Sequence, residues 1–376
     1  MKRLFRRLLG RLSPVLLSDT AFVERAYREL LAREADKDGL EFYRSRLEDG
    51  ESRTSVLLGL ATSEEFSRRF AKAAPRLPSL RDRRPDRYRE ETDLSTGRPV
   101  SVFESHGPDD ADWLEAQILR NGYYEEPGVW NFGIDADKRV MAEIVASFGP
   151  ERALELGCAA GAVLECLRRA GVHAEGVEIS ALAADQAPSD VAPLIHRGDL
   201  LSLDLPSDFD VAFGLDVFEH LNPNRLDAYL ARLAALTRPG GYLFCNVPAF
   251  GDDPVFGTVF PLYLETWRRD ATAARPFTTL HVDDLGYPLH GHLVWATSAW
   301  WVSRFEAQGL RREAGLERAL HARYDPYLDR HALARKAFYV FSKAAEPERT
   351  AALAERVRAW PSKALEAPPS VASQSR

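Results

Sequence analysis

The chain has 376 residues, 45% of them apolar and 28% charged, enough for a large core and two or three domains. Its formal net charge of -7 excludes a general nucleic-acid binder, which needs a basic surface. No apolar run approaches the roughly 20 residues of a membrane span, and the three cysteines (Cys158, Cys166, Cys245) lie in apolar segments without metal-ligand spacing. They read as reduced packing residues, so the expected location is cytoplasmic and no metal site is expected.

The basic residues are clustered. Lys2, Arg3, Arg6, Arg7 and Arg11 crowd the first segment, residues 1–17, where Leu4, Phe5, Leu8, Leu9 and Leu12 share one helical face. The segment lacks a continuous apolar stretch and a cleavage site, and so makes a poor signal peptide. A basic amphipathic helix over residues 2–12 can make a peripheral membrane contact or dock on its own protein; both readings stay open.

Residues 18–72 predict a small all-α domain. Phe22-Val23, Ala26-Tyr27 and Leu30-Leu31 recur at helical spacing, and Asp36-Lys37-Asp38-Gly39 supplies a polar turn. Leu40, Phe42, Tyr43 and Leu47 mark a second helix, Val56, Leu57 and Leu60 a third, and Ser63-Glu64-Glu65-Phe66 opens a fourth. The phrase from Phe22 to Glu34, with Asp38-Gly39-Leu40 and Ser63-Glu64-Glu65-Phe66, resembles a helical domain of unassigned function. That family is similar to phycobilisome linker domains and recurs in bacterial proteins of surface-glycan and secreted-protein context. The resemblance implies docking to a protein partner and no chemistry. Asp36 and Asp38 lack the downstream acids of a calcium loop and read as a plain turn.

Residues 73–112 carry Pro75, Pro78, Pro85, Pro99 and Pro108 among mixed charges, the composition of a linker with one short strand near Pro99 to Phe103. The next domain spans residues 113–344. In it Asn121-Gly122-Tyr123-Tyr124 and Trp130-Asn131-Phe132 lead into a helix near Asp137 to Phe148, their aromatics either packing the entrance or covering a ligand. From residue 150 strands and helices alternate, the pattern of a parallel sheet with crossover helices. Strands are predicted near 152–156, 174–179, 193–197, 210–215 and 241–247, and helices near 161–170, 180–187 and 223–237. Leu310 to Leu316 and Lys336 to Ser342 read as a closing antiparallel pair. Residues 345–376 hold one helix through Trp360 and then a Pro-, Ser- and Ala-rich end with the composition of a disordered tail.

Chemistry centres on Ala153-Leu154-Glu155-Leu156-Gly157-Cys158-Ala159-Ala160-Gly161, a strand, turn and helix start whose small residues let the backbone approach a ligand. A dinucleotide fingerprint would need glycines at 157, 159 and 162, where the chain has Gly157, Ala159 and Ala162. That disfavours an NAD-linked oxidoreductase or epimerase. Gly176-Val177-Glu178-Ile179-Ser180, Arg197-Gly198-Asp199, Asp216-Val217-Phe218-Glu219-His220-Leu221 and Arg238-Pro239-Gly240-Gly241 come next, in that order. The set resembles class I S-adenosylmethionine-dependent methyltransferases over about residues 120–343.

That resemblance implies an α/β, Rossmann-like, seven-stranded, mostly parallel sheet, and S-adenosyl-L-methionine as cofactor. It implies that Glu155 and the backbone of Gly157, Cys158, Ala159 and Gly161 hold the amino-acid part; Ala159 departs from the second glycine usual there, which alanine can replace if its φ is negative. Glu178 would accept the ribose hydroxyls and Asp199 the adenine amino group, with Ile179 and Leu200 as apolar walls. Asp216 and Val217 would lie beside the sulfonium. His220 is the first candidate for a general base and His292, in Leu289-His290-Gly291-His292-Leu293, the second. The Glu219-His220 pair reads equally as a cap or packing for the next helix. His281 with Asp283 and Asp284 lacks further ligands at a diagnostic spacing. Aromatics between 248 and 305 read partly as core and partly as the lining of an acceptor pocket. The expected acceptor is a small molecule or glycan precursor; a non-catalytic scaffold that binds the cofactor is the rival.

Overall fold

The structure, a computed structural model, describes residues 18–31, 33–48, 53–61, 63, 65, 77–125 and 132–361. The amphipathic segment 2–12, most of the fourth helix expected from Ser63, Trp130 with Asn131, and the tail beyond residue 361 lie outside the described residues. The chain forms two compact units.

In the first unit α1 (Asp19–Ala26) runs into a π turn (Tyr27–Leu31), and α2 (Lys37–Glu48) and α3 (Arg53–Ala61) come after it. Phe22, Val23, Tyr27, Leu30, Val56 and Leu60 share one core, as their helical spacing predicts. Ser18 caps α1 by accepting from the Ala21 N–H at 3.2 Å. At the start of α2 the Asp36 carboxylate accepts from the Gly39 N–H and the Arg33 guanidinium, both at 2.8 Å. This confirms a helix-start turn built on Asp36.

The second unit starts at Leu77. Its elements are β1 (Tyr88–Thr92), β2 (Pro99–Glu104), α4 (Pro108–Arg120), α5 (Ala136–Ser147), β3 (Arg152–Leu156), α6 (Ala162–Arg169) and β4 (His173–Glu178). They continue with α7 (Ala181–Ala184), β5 (Ile195–Arg197), β6 (Phe209–Leu215), α8 (Leu226–Leu236), β7 (Thr237–Asn246) and β8 (Ala249–Phe250). After these come α9 (Glu265–Thr272), β9 (Thr279–His281), β10 (Ala296–Thr297), α10 (Ser298–Glu306), β11 (Arg311–Arg312), α11 (Ala314–His331), β12 (Phe338–Ser342) and α12 (Pro347–Ala359).

Seven strands form the main sheet in the order β11-β12-β7-β6-β3-β4-β5. β7, β6, β3, β4 and β5 are parallel, and β12 and β11 close one edge antiparallel. Buried on both faces, the strands alternate cores by the two-residue pleat: Phe338 and Val340 face one, Tyr339 and Phe341 the other. α5, α6, α11 and α12 cover the first face through residues such as Ile144, Leu164, Leu320 and Val357. Leu230 and Leu233 of α8 and Trp301 and Phe305 of α10 cover the second. The Rossmann-like, mostly parallel α/β sheet agrees with expectation.

Three readings change. The stretch 73–112, taken as a linker, contributes β1, β2 and the start of α4 from Leu77 onward. β1, β2 and β9 form an antiparallel sheet over a third core containing Leu80, Val102, Phe103, Leu114 and Ile118. Pro85, Pro99 and Pro108 mark element starts, at the first residue of a 3-10 turn, of β2 and of α4, where no backbone donor is needed. Of the aromatics between 248 and 305, Phe250, Trp267, Phe277, Tyr287 and Trp295 are buried in this same core, and Phe256, Trp301 and Phe305 in the second core of the main sheet. Trp267 stacks on Phe277 with centroids 4.9 Å apart, and Phe250 on Trp295 at 5.5 Å. The expected strand over 310–316 shrinks to Arg311–Arg312, and the chain then enters the long helix α11, whose signal is interrupted by Pro326. Among the described residues no helix is long and apolar enough to cross a membrane.

Candidate functional site

The turn after β3 sits at the carboxyl edge of the sheet, where open α/β folds bind ligands. Gly157 and Gly161 adopt φ of +72° and +76°. A side chain at Gly157 would strike Val217 at 2.7 Å, so the turn after β3 packs directly on the loop that leaves β6. Ala159 also stands in the left-handed region, at φ +49°, so the condition of a negative φ is not met. A Cβ there costs on the order of 1 kcal/mol. The Glu178 carboxylate offsets this strain by accepting from the Ala159 N–H at 2.8 Å, while its other oxygen accepts from the Ser180 N–H at 2.6 Å. Glu178 therefore clamps the turn. Cys158 points its thiol into the core, so it serves the turn by packing, and its side chain offers nothing to a ligand.

Glu155 is only 4% exposed, and its Oε2 has no hydrogen-bond partner. Burial, reinforced by the Glu178 charge and opposed by Lys138, raises its carboxyl to about 8. An unpartnered acid at the end of β3 is an acceptor waiting for a cation or donor. Ile179, beside Glu178, is an exposed apolar side chain, as a ring wall requires. Leu200 is not such a wall: it is buried in the core with Leu154, Val177 and Phe209. Asp199 is held by its own fold, accepting from the Tyr229 hydroxyl at 2.9 Å, the Leu201 N–H at 3.0 Å and Arg225 at 3.4 Å.

Beyond β6, Asp216 takes φ +50° and pairs with Arg335, which also donates to Asn246 Oδ1 at 2.7 Å. Nothing in the sequence singled out Arg335, because its partner lies across the sheet edge. Glu219 and His220 stand next in a 3-10 turn, and the Glu219 carbonyl accepts from the N–H groups of Leu293 and Val294 at 2.7 and 2.9 Å. This docking brings His292 alongside: its Nε2 lies 3.7 Å from Glu219 Oε1, and its ring centroid 4.8 Å from that of His220. Ligand-type atoms of Glu219, His220 and His292 fall within 4.8 Å of one another. The Tyr124 hydroxyl lies 3.2 Å from His220 Nδ1 and donates to the Gly291 carbonyl at 3.3 Å.

Glu219 is 1% exposed and neither carboxylate oxygen has a hydrogen-bond partner from another residue, so its carboxylate caps no helix. Burial, then the Asp216 charge, raises its carboxyl well above the usual range. Burial lowers His220 to about 4, and burial with two neighbouring imidazoles lowers His292 further. The two candidate bases are thus brought together with an acid that sequence reasoning treated only as their neighbour. His281, in contrast, bonds to Tyr263 at 3.0 Å.

Residues 134–321 match the profile of a methyltransferase domain family, half of the chain, and residues 13–70 match a domain of unknown function, DUF4214. Ubiquinone biosynthesis O-methyltransferase of Rhodopseudomonas palustris (strain BisB18) is 33% identical over 97 residues, covering 24% of this chain and 37% of that protein. The protein of the same name from Maricaulis maris is 27% identical over 135 residues, 34% of this chain and 49% of that one. Hemagglutinin 1 of Eikenella corrodens is 32% identical over 115 residues, 29% and 38% respectively. The chain spans between about a third and a half of the length of these curated relatives. Among solved structures, 1,6-didemethyltoxoflavin-N1-methyltransferase of Burkholderia thailandensis, bound to 1,6-didemethyltoxoflavin and S-adenosylhomocysteine, aligns with a TM-score of 0.38 at 17% identity. That alignment covers 57% of this chain and 86% of the other. DesVI of Streptomyces venezuelae aligns with a TM-score of 0.38 at 18% identity, covering 56% and 92%. With the profile matched over half of its length, the chain belongs to the methyltransferase domain family.

Proposed function

We propose that this protein transfers a methyl group from S-adenosyl-L-methionine to a hydroxyl of a small molecule or glycan precursor. The observation that carries the cofactor reading is Glu155, buried at the end of β3 with an unpartnered oxygen beside a turn opened by Gly157 and Gly161. When bound, S-adenosylmethionine supplies a methyl group activated by its sulfonium. Glu155 would hold the ammonium of its amino-acid part, a charge-assisted contact that removes the cost of the buried acid. Glu178 would accept from the ribose hydroxyls, since each carboxylate oxygen offers more than one acceptor position. Asp199 would accept from the adenine amino group with Ile179 against the ring, and Asp216 with Val217 would border the acceptor entrance.

An oxygen acceptor must lose its proton as the oxygen–methyl bond forms. His220 and His292 are held neutral by burial, the protonation state that can take that proton. Tyr124 fixes the His220 ring. The names of the curated relatives support oxygen as the methylated atom, over the part of their length that this chain spans.

Calorimetric titration with S-adenosylhomocysteine tests the reading. Micromolar binding to the native chain, lost in a Glu178→Ala variant whose thermal unfolding stays cooperative, is expected. A well-folded native chain that does not bind would overturn it. Binding would be followed by a methyl-transfer screen that starts from sugar nucleotides and phenols.

A further inference from the structure

We propose that Glu219, His220 and His292 form a site for a first-row divalent cation, with open positions that take the acceptor's oxygen. The role of the cation rests on the methyltransferase reading, whereas the site itself rests only on geometry. Three donor residues from two separate loops put their ligand atoms within 4.8 Å of one another, beneath the edge of the sheet. Ligands held about 2.1 Å from a metal stand roughly 3–3.5 Å apart, so closure needs side-chain movements of about 1 Å.

The second observation is Glu219. A carboxylate 1% exposed with two unpartnered oxygens is a large uncompensated cost for the fold. Even His292 Nε2, 3.7 Å from Oε1, stands beyond hydrogen-bond reach. A cation bridging it to both imidazoles would remove that cost. The Tyr124 hydroxyl on His220 Nδ1 supplies the outer hydrogen bond that commonly orients a ligating imidazole.

Two imidazoles with one carboxylate suit zinc, iron, cobalt, nickel or manganese better than calcium or magnesium, which prefer all-oxygen sets. Only three protein ligands leave coordination positions open, as in sites that act on a substrate. A hydroxyl bound there loses its proton to solvent more readily. Its oxygen would then form the bond to methyl while the sulfur–methyl bond breaks and sulfur keeps the electron pair. The imidazoles would in that case act as ligands, not as the base.

Cobalt(II) is the probe, added alone to the untagged, chelator-treated full chain and monitored by visible absorption and calorimetry. One equivalent per chain with ligand-field bands is expected. Glu219→Gln and His292→Ala should each weaken binding at least about tenfold, while His331→Ala, an exposed control, should not. Circular dichroism and thermal unfolding report whether each variant folds. Absence of stoichiometric binding to the native chain, or unchanged affinity in both folded variants, would overturn the site. Neither readout involves methyl transfer. Cobalt binding without S-adenosylhomocysteine binding would keep the site and remove the enzyme reading; the converse would keep the enzyme and remove the site.

Discussion

Glu155 makes a quantitative prediction about cofactor binding. Its carboxyl is raised from 4.5 to about 8, by burial first and by the Glu178 charge second, with Lys138 pulling the other way. At pH 7, one unit below that value, roughly nine in ten chains carry the proton. If an ammonium docks on the ionised form, binding at pH 7 should release about 0.9 proton. Affinity for S-adenosylhomocysteine should rise about tenfold from pH 6 to 7, about fivefold from 7 to 8, and then level off. Calorimetry in buffers of different ionisation enthalpy measures the released proton directly. Glu155→Gln should abolish both the release and the pH dependence, and should bind more weakly at pH 8. The same shift affects the free protein. The folded chain holds this proton more tightly than the unfolded chain, so the stabilisation is complete below pH 4.5 and is lost as pH climbs to about 8. The loss is at most on the order of 4–5 kcal/mol, and the Gln variant should lack it. Affinity that stays flat across pH 6 to 8, with no proton release, would refute the assignment of Glu155 to the ammonium.

Individual contacts give further expected outcomes. Ala159→Gly relieves a Cβ at φ +49° and should raise the unfolding free energy read from urea titration by roughly 1 kcal/mol; a loss of stability would show that the turn is relaxed as it stands. At Gly176 an added Cβ would lie 2.5 Å from Cys158 Sγ and 2.9 Å from Leu164 Cδ1. Gly176→Ala should therefore cost about 1–3 kcal/mol by overpacking, read from the same unfolding curves, and a neutral result would mean that this core yields freely. Trp267→Ala, in the core under β1, β2 and β9, should cost about 3–5 kcal/mol. Limited proteolysis of that variant should cut first within residues 77–104, whereas cutting in the main sheet would argue against a separate third core.

Much of the fold was legible because its signals are local. The pleat shows in runs such as Phe338-Tyr339-Val340-Phe341, and the strand-turn-helix at Glu155 to Gly161 is a property of adjacent small residues. Glu178 and Ile179 could be placed at the end of β4 for the same reason. Local signals misled at 73–112, where prolines that begin elements have the composition of a linker, and at 314–331, where Pro326 obscures a long helix.

The sequence by itself determined which residue types stand at the carboxyl ends of the strands, since short-range pattern is enough for that. Only the tertiary structure decided what those residues face. Leu200 turned into the core, not toward a ligand, because its side of the loop packs on Leu154 and Phe209. Ala159 took a left-handed conformation because the Glu178 carboxylate, from the neighbouring strand, bonds its N–H. Glu219 became a buried, unpartnered acid because the backbone after His292 docks on its carbonyl and shuts out water. Such convergence joins segments far apart in the chain, and packing of the whole sheet edge, which no local spacing encodes, sets the distance between them.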